Sequence, residues 1–128
     1  MNKKSVLVVS NQLGGKNSLS EWVNARHPFH LNIVNSDETA IELCHQHQFD
    51  MVVVDDRNND INTKKLYAVL PILQDDIIFL RYEGETRMQL DENVKAVFRA
   101  KKYRRIQQML MLEPSVNAFS NLPSFSLN

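Results

Sequence analysis

Short apolar runs that alternate with helical patterns constrain the fold of this chain more than any other feature of its sequence. Five runs have the length of a buried strand: 6–9, 31–34, 51–54, 77–80 and 94–98. The first, third and fourth are continuous, as expected for strands buried on both faces of a parallel sheet. Asn32 and Lys95 interrupt the other two, which predicts that these strands lie nearer the sheet edges.

Two of the helical patterns carry clear start signals. Ser18 and Glu21 have the spacing of a capping box and predict a helix that begins at Ser18. Ser36, followed by Asp37, predicts the cap of a second helix. Its buried stripe is expected to contain Ala40, Ile41 and Cys44.

Three further helices follow from apolar spacing. Apolar residues at i, i+3, i+4 and i+7 predict a helix over 66–73, which Pro71 is expected to end or kink. A short helix is predicted over 86–90. The last is predicted over 102–112, and we expect three of its side chains to face inward, those of Ile106, Met109 and Leu110.

Strands that alternate with helices predict βαβ units with right-handed crossovers. Five strands and five helices in this length predict an α/β fold. Its form would be a flavodoxin-like, doubly wound, five-stranded parallel sheet with strand order 2-1-3-4-5 and helices on both faces. In such a sheet, ligands and chemistry lie at the carboxyl ends of the strands. Those ends are predicted at residues 10–11, 55–56, 81–82 and 99–101.

The length and composition of the chain predict a single domain in the cytoplasm. The chain has 128 residues, with 15 Lys and Arg against 15 Asp and Glu, so no overall charge attracts nucleic acid or membrane. The single cysteine, Cys44, forms no internal disulfide, and no apolar run reaches the roughly 20 residues of a membrane span. We therefore expect a cytoplasmic domain over 1–112, followed by a linker or flexible tail over 113–128.

A motif lies at the third predicted strand. Residues 49–55 read Phe-Asp-Met-Val-Val-Val-Asp: an aromatic residue, an aspartate, four apolar residues and a final aspartate. In its place after two βα units, this segment resembles the third strand of bacterial response-regulator receiver domains, the CheY-like superfamily, and the resemblance spans roughly residues 3–112. It implies signalling in a two-component or phosphorelay pathway rather than enzyme activity. By the same match Asp55 is the phospho-acceptor candidate, with Asp56 the alternative if the register slips by one residue.

The chain departs from the receiver pattern at the other positions that phosphorylation requires. Receivers have an acidic pair after the first strand, where this chain has Ser10 and Asn11. They have a Ser or Thr after the fourth strand, where Arg81 stands, and a Lys, usually followed by Pro, after the fifth. Arg99 and Lys101 are the nearest basic residues to that last position. The resemblance is therefore to a degenerate receiver.

These departures change what the site is expected to bind. Mg²⁺ prefers carboxylate oxygens and water, so Asp55 beside neutral Ser10 and Asn11 is expected to bind it only weakly, and no other cofactor is expected. We hypothesise instead that Arg81, with Arg99 or Lys101, places a fixed positive charge beside Asp55. The alternative is that Arg81 points into solvent.

Six basic residues lie close together near the end of the chain: Lys95, Arg99, Lys101, Lys102, Arg104 and Arg105. They form either a solvated helix face or an output surface, for which Lys102, Tyr103 and Arg105 are the candidates. The resemblance implies other signalling proteins as partners, such as a histidine kinase or an effector domain, and allows a homodimer. We expect no membrane contact, and no nucleic-acid binding because neighbouring acids offset the basic residues.

Three hypotheses remain. The first is a degenerate receiver that acts through partner binding or dimerisation. The second is a true phospho-acceptor switch at Asp55 that controls an attached or separate transcriptional effector. The third is a small enzyme or nucleotide-binding domain on the same fold, because fold does not fix function. The segment 14–16, Gly-Gly-Lys, follows the first strand but lacks the first glycine and the hydroxyl residue of a phosphate-binding loop.

Overall fold

The computed structural model describes residues 3–14, 17–57 and 60–112, with the side chains of 108 and 110–112 left out. The predicted tail, 113–128, lies outside the described residues, as do Gly15 and Lys16 of the glycine-containing segment. The chain divides into two compact units, 1–94 and 95–128. The elements are β1 (Ser5–Val9), α1 (Ser18–Val23), β2 (His30–Val34), α2 (Asp37–Gln46), β3 (Met51–Asp55), α3 (Thr63–Leu73), β4 (Ile78–Tyr82) and α4 (Arg87–Leu112).

The first four strands form one parallel sheet in the order β2-β1-β3-β4. The α/β class, the parallel sheet and the order of these four strands were predicted from the sequence, and the structure confirms them. β1 and β3 lie at the centre, and Val6–Val9 and Met51–Val54 have no exposed surface. Because β1 and β3 have a neighbouring strand on each side and are covered on both faces, every side chain in these runs is buried, which explains why both runs are continuously apolar.

The central strands are buried on both faces. Leu7, Val9, Val52 and Val54 belong to a core cluster with buried residues of α2 and α3. The alternate residues point to the opposite face because side chains alternate along a strand, and they are equally buried. α1 and the start of α4 lie together: the Trp22 indole Nε1–H donates to Asp91 Oδ1 at 3.1 Å, and Leu19, Leu90 and Val94 are fully buried.

The predicted fifth strand, 94–98, is wrong. These residues lie inside α4, a continuous 26-residue helix that also contains the two helices predicted over 86–90 and 102–112. A run of five residues fits a strand period and a helix period equally well. Leu90, Val94 and Val97 follow the helical spacing i, i+4 and i+7, and no Gly or Pro interrupts residues 87–112. In the described residues the sheet therefore has four strands, and no strand ends at 99–101.

The capping predictions for the first two helices have different outcomes. Ser36 caps α2 as predicted, its hydroxyl accepting the Thr39 N–H. α1 also begins at Ser18, but its cap is Asn17, whose side chain accepts the Ser20 N–H, so the predicted Ser18 cap is wrong. Pro71 lies inside α3, which continues to Leu73.

The inward orientation predicted near the end of α4 is wrong for two residues. Ile106 is 45% exposed and Met109 is 70% exposed, while the side chain of Leu110 lies outside the described set. A helical apolar spacing identifies a common face but not what covers it. None of the described helices is long and apolar enough to span a bilayer.

Candidate functional site

The candidate site lies at the carboxyl end of the sheet, where β1, β3 and β4 finish side by side. Val9 is paired with Val54, so Ser10, the residue after β1, reaches the side of Asp55 at the end of β3. Asp55 is in turn paired with Tyr82 at the end of β4. Ser10, Asp55 and Tyr82 are all buried, with 2%, 3% and 1% of their surfaces exposed. Parallel pairing thus gathers three distant polar side chains at one point.

The carboxylate of Asp55 accepts four hydrogen bonds. The Arg57 Nε–H and backbone N–H donate to Oδ1 at 2.8 and 3.2 Å. The Arg57 Nη2–H and the Ser10 hydroxyl donate to Oδ2 at 2.8 and 2.6 Å. Two carboxylate oxygens offer about four lone-pair sites, so these donors satisfy the group completely. The pair with Arg57 is bidentate, the strongest common geometry for these two groups.

The Ser10 hydroxyl is oriented by its own loop. The backbone N–H of Gln12 donates to Ser10 Oγ at 3.1 Å, which leaves the hydroxyl hydrogen to donate to Asp55. Ser10 occupies a position where the resemblance implied an acidic residue. In this chain the position supplies a donor to Asp55 rather than a second negative charge.

Burial and hydrogen bonding act in opposite directions on Asp55. Burial disfavours the charged carboxylate, but the hydrogen bonds from Arg57 and Ser10 and the charge of Arg57 outweigh it and hold the pKa of Asp55 below its usual value. The same hydrogen bonds with Asp55 raise the pKa of Arg57, although its partial burial opposes this. Both partners are therefore ionised at neutral pH.

Tyr82 forms the wall against which Arg57 lies. The guanidinium carbon of Arg57 is 4.8 Å from the centroid of the Tyr82 ring, a cation–π distance. The Tyr82 hydroxyl donates to the Glu85 carbonyl at 2.9 Å, which fixes the ring. The intervening Gly84 has φ of +105°, a conformation that favours glycine. Only 24% of the Arg57 side chain is exposed, so the guanidinium is held from two sides.

Arg81 does not supply the positive charge beside Asp55 that we expected. It forms an ion pair with Asp56 and lies 3.5 Å from Glu83 at the surface. Arg81 is paired with Val54, one residue before Asp55, and paired residues share a sheet face, so its side chain leaves on the face opposite to Asp55. The cation beside Asp55 is Arg57.

The remaining predicted positions lie apart from Asp55 or in α4. Asn11 donates to Asp60 Oδ2 at 3.0 Å. Within the second unit, Lys101 is buried, with 3% of its surface exposed. The other predicted α4 residues are exposed on the helix: Arg99, Lys102, Tyr103 and Arg105. In the part of the chain that the structure describes, Arg99 and Lys101 lie inside α4 and not at the end of a strand.

The surroundings of Asp55 contain a surface depression. A depression of about 450 Å³ lies beside Ser10, between the ends of β1 and β2, with Gly14 and Thr39 on its walls. Within residues 3–14, 17–57 and 60–112, no cluster of three His, Cys, Asp or Glu side chains is placed to hold a metal ion. Asp55 and Asp56 each pair with an arginine instead.

Arg57, the residue that completes the site, was not predicted from the sequence. Arg57 lies two residues after Asp55, but the sequence does not show that the chain turns there and brings the guanidinium back to the carboxylate. Comparison of the chain with protein-family models, with curated proteins and with solved structures found no match.

Proposed function

We propose that this chain is a degenerate receiver-like signalling module that works without conventional phosphorylation, built on a flavodoxin-like sheet with four strands in the described residues. It acts through contacts with other proteins or by dimerisation. Its partners are signalling proteins of a cytoplasmic two-component pathway, such as a histidine kinase or an effector domain. The position of Asp55 at the end of the third parallel strand supports the receiver-like part of the proposal.

The saturation of Asp55 carries the proposal. A phospho-acceptor needs a free carboxylate oxygen to attack phosphorus, and all four hydrogen-bonding positions of Asp55 are already occupied. Phosphoryl transfer also needs charge neutralisation, which Mg²⁺ commonly provides. Here the Arg57 guanidinium forms a direct ion pair with the Asp55 carboxylate and supplies a permanent positive charge. Arg57 thus stands in for the metal and holds one conformation.

One observation favours the second hypothesis, a true phospho-acceptor at Asp55. The Arg57 side chain remains 24% exposed, so its guanidinium has a route into solvent that would uncover Oδ1. This opening would break a buried bidentate ion pair, and such breaks cost several kcal/mol when the remaining charge stays buried, about 3–5 in measured cases. The locked module is therefore the favoured function.

Phosphoryl uptake tests the proposal. The full chain is incubated with acetyl phosphate and Mg²⁺, and its intact mass is measured beside that of Asp55→Asn. We expect both proteins to keep their starting mass, with circular dichroism showing that both are folded. A gain of one phosphoryl group by the wild-type chain, absent from Asp55→Asn, would establish the phospho-acceptor switch instead.

A further inference from the structure

Charge is separated along this neutral chain. Six of its 15 Lys and Arg residues lie in 95–112, and the other nine lie in 1–94. Fourteen of its 15 Asp and Glu residues lie in 1–94, and the other is Glu113. Residues 95–112 therefore carry positive charge alone, while residues 1–94 carry five more acids than cations. The net charge of zero hides two parts of opposite sign.

The basic part of α4 carries an exposed stripe on one side. Arg99, Lys102, Ile106 and Met109 follow the spacing i, i+3, i+7 and i+10, which places them along one helix face. Arg99 and Lys102 are exposed, as are Ile106 and Met109, and Tyr103 beside them is 63% exposed. We call these four residues the α4 stripe. It combines positive charge with large apolar side chains, a composition that suits an interface more than a solvated surface.

Three partners could bind the α4 stripe: the same stripe of a second copy, a nucleic acid, or the acid-rich unit of a second copy. Their charges distinguish them. Pairing of the stripe with the same stripe of a second copy would bring cations together, which is unfavourable. A nucleic acid would be attracted by 95–112 but repelled by the acidic excess of 1–94, and the whole chain offers it no net charge. The acid-rich unit of a second copy has the opposite sign. Because both surfaces belong to the same chain, this partner is always present wherever the α4 stripe is.

The end of α3 offers a matching surface on that unit. Ile72 is 82% exposed, and the exposed Asp75 and Asp76 follow it closely. This patch presents an apolar side chain beside negative charge, the complement of the α4 stripe. We propose that the α4 stripe of one copy binds the Ile72–Asp75 patch of a second copy, and that the exchange is reciprocal. A reciprocal contact closes as a two-fold dimer and leaves neither surface free for further growth.

This inference rests on the proposed function, since it specifies the surfaces through which the chain dimerises, but it does not depend on the state of Asp55. A dimer built in this way would form whether or not Asp55 accepts a phosphoryl group, since none of its contacts involves Asp55 or Arg57. Failure of the dimer and failure of the phosphorylation proposal are therefore separate results from separate measurements.

Sedimentation equilibrium of the full chain tests the proposal. We expect a monomer–dimer equilibrium at about 0.1 M NaCl that shifts to monomer towards about 1 M, as the Debye length falls from roughly 10 to 3 Å. Arg99→Glu/Lys102→Glu should weaken dimerisation about tenfold or more. The control Arg26→Glu/Lys64→Glu reverses two other exposed cations, with the same change of net charge, and should leave the dimer intact.

A charge swap tests the partner surface. Asp75→Lys should also weaken the homodimer, whereas a mixture of Asp75→Lys with Arg99→Glu/Lys102→Glu should form a heterodimer because opposite charges again meet. Circular dichroism checks that each variant is folded, and Ile106→Ser tests the apolar contact without changing charge. A chain that stays monomeric at all concentrations would overturn the proposal. So would a dimer that both reversals leave unchanged, or a mixture that does not associate.

Nucleic-acid binding is measured in parallel by fluorescence anisotropy with labelled single-stranded and double-stranded DNA. We expect no binding at the salt concentration at which the dimer forms. Binding that Arg99→Glu/Lys102→Glu abolishes, in a chain that remains monomeric, would assign the α4 stripe to nucleic acid and overturn the dimer.

Discussion

At the scale of single residues, the candidate site is governed by the way a buried carboxylate is neutralised. Asp55 is almost completely buried, and an isolated charge at such a position would be costly. Arg57 removes that cost with a bidentate pair and a backbone N–H, and the Ser10 hydroxyl provides the remaining donor. The site is therefore as much a structural element as a chemical one, and its removal should be visible in stability.

Arg57→Gln should destabilise the chain because it leaves the Asp55 carboxylate buried without a cation. We expect a loss of about 2–4 kcal/mol in the free energy of unfolding, measured by urea denaturation at neutral pH. Arg81→Gln is the matched control, since it removes the surface ion pair with Asp56, and we expect no resolvable change. Equal effects of the two substitutions would show that the Asp55–Arg57 pair has no special weight.

At the scale of elements, the sequence predicted the first four strands and most of the helices because their patterns are long or bounded by clear signals. The buried central strands are recognisable as continuous apolar runs, and the start of α2 is recognisable from its capping residue, Ser36. The segment 94–98 is ambiguous, because five residues cannot distinguish the period of a strand from that of a helix. The Asp55–Arg57 pair depends on how the chain turns after β3, and the exposure of Ile106 depends on what packs nearby. Neither the Asp55–Arg57 pair nor the exposure of Ile106 can be predicted from the spacing of residues within one segment.

The cap of α1 gives a direct test at this scale. Asn17→Ala should reduce the free energy of unfolding by about 1 kcal/mol, because it removes the acceptor for the Ser20 N–H. Ser18→Ala should have little effect, since Ser18 is the first helical residue and not the cap. Urea denaturation of the two variants distinguishes the caps. A larger loss from Ser18→Ala would place the cap where the sequence pattern first predicted it.

At the scale of the whole molecule, the sheet is ordered from its centre outwards. β1 and β3 have a paired strand on each side and no exposed apolar surface, while β2 and β4 lie at the edges of the described sheet. Amide hydrogen exchange should therefore be slowest in Val6–Val9 and Met51–Val54 and faster in β2 and β4, because exchange follows local opening. Protection of β4 equal to that of β3 would indicate that a further strand covers its outer edge.

The central claim is that Arg57 holds Asp55 ionised and fully bonded. Because this lowers the pKa of the folded carboxyl, the pair contributes stability above about pH 4 and loses it as the pH falls through the folded pKa. Carbon-detected NMR titration of the Asp55 side chain, in the full chain and in Arg57→Gln, measures that pKa directly. We expect the wild-type pKa below the ordinary value for aspartate, and a higher pKa in Arg57→Gln, where burial acts with less opposition. An ordinary or raised pKa in the wild-type chain, unchanged by the substitution, would contradict the account.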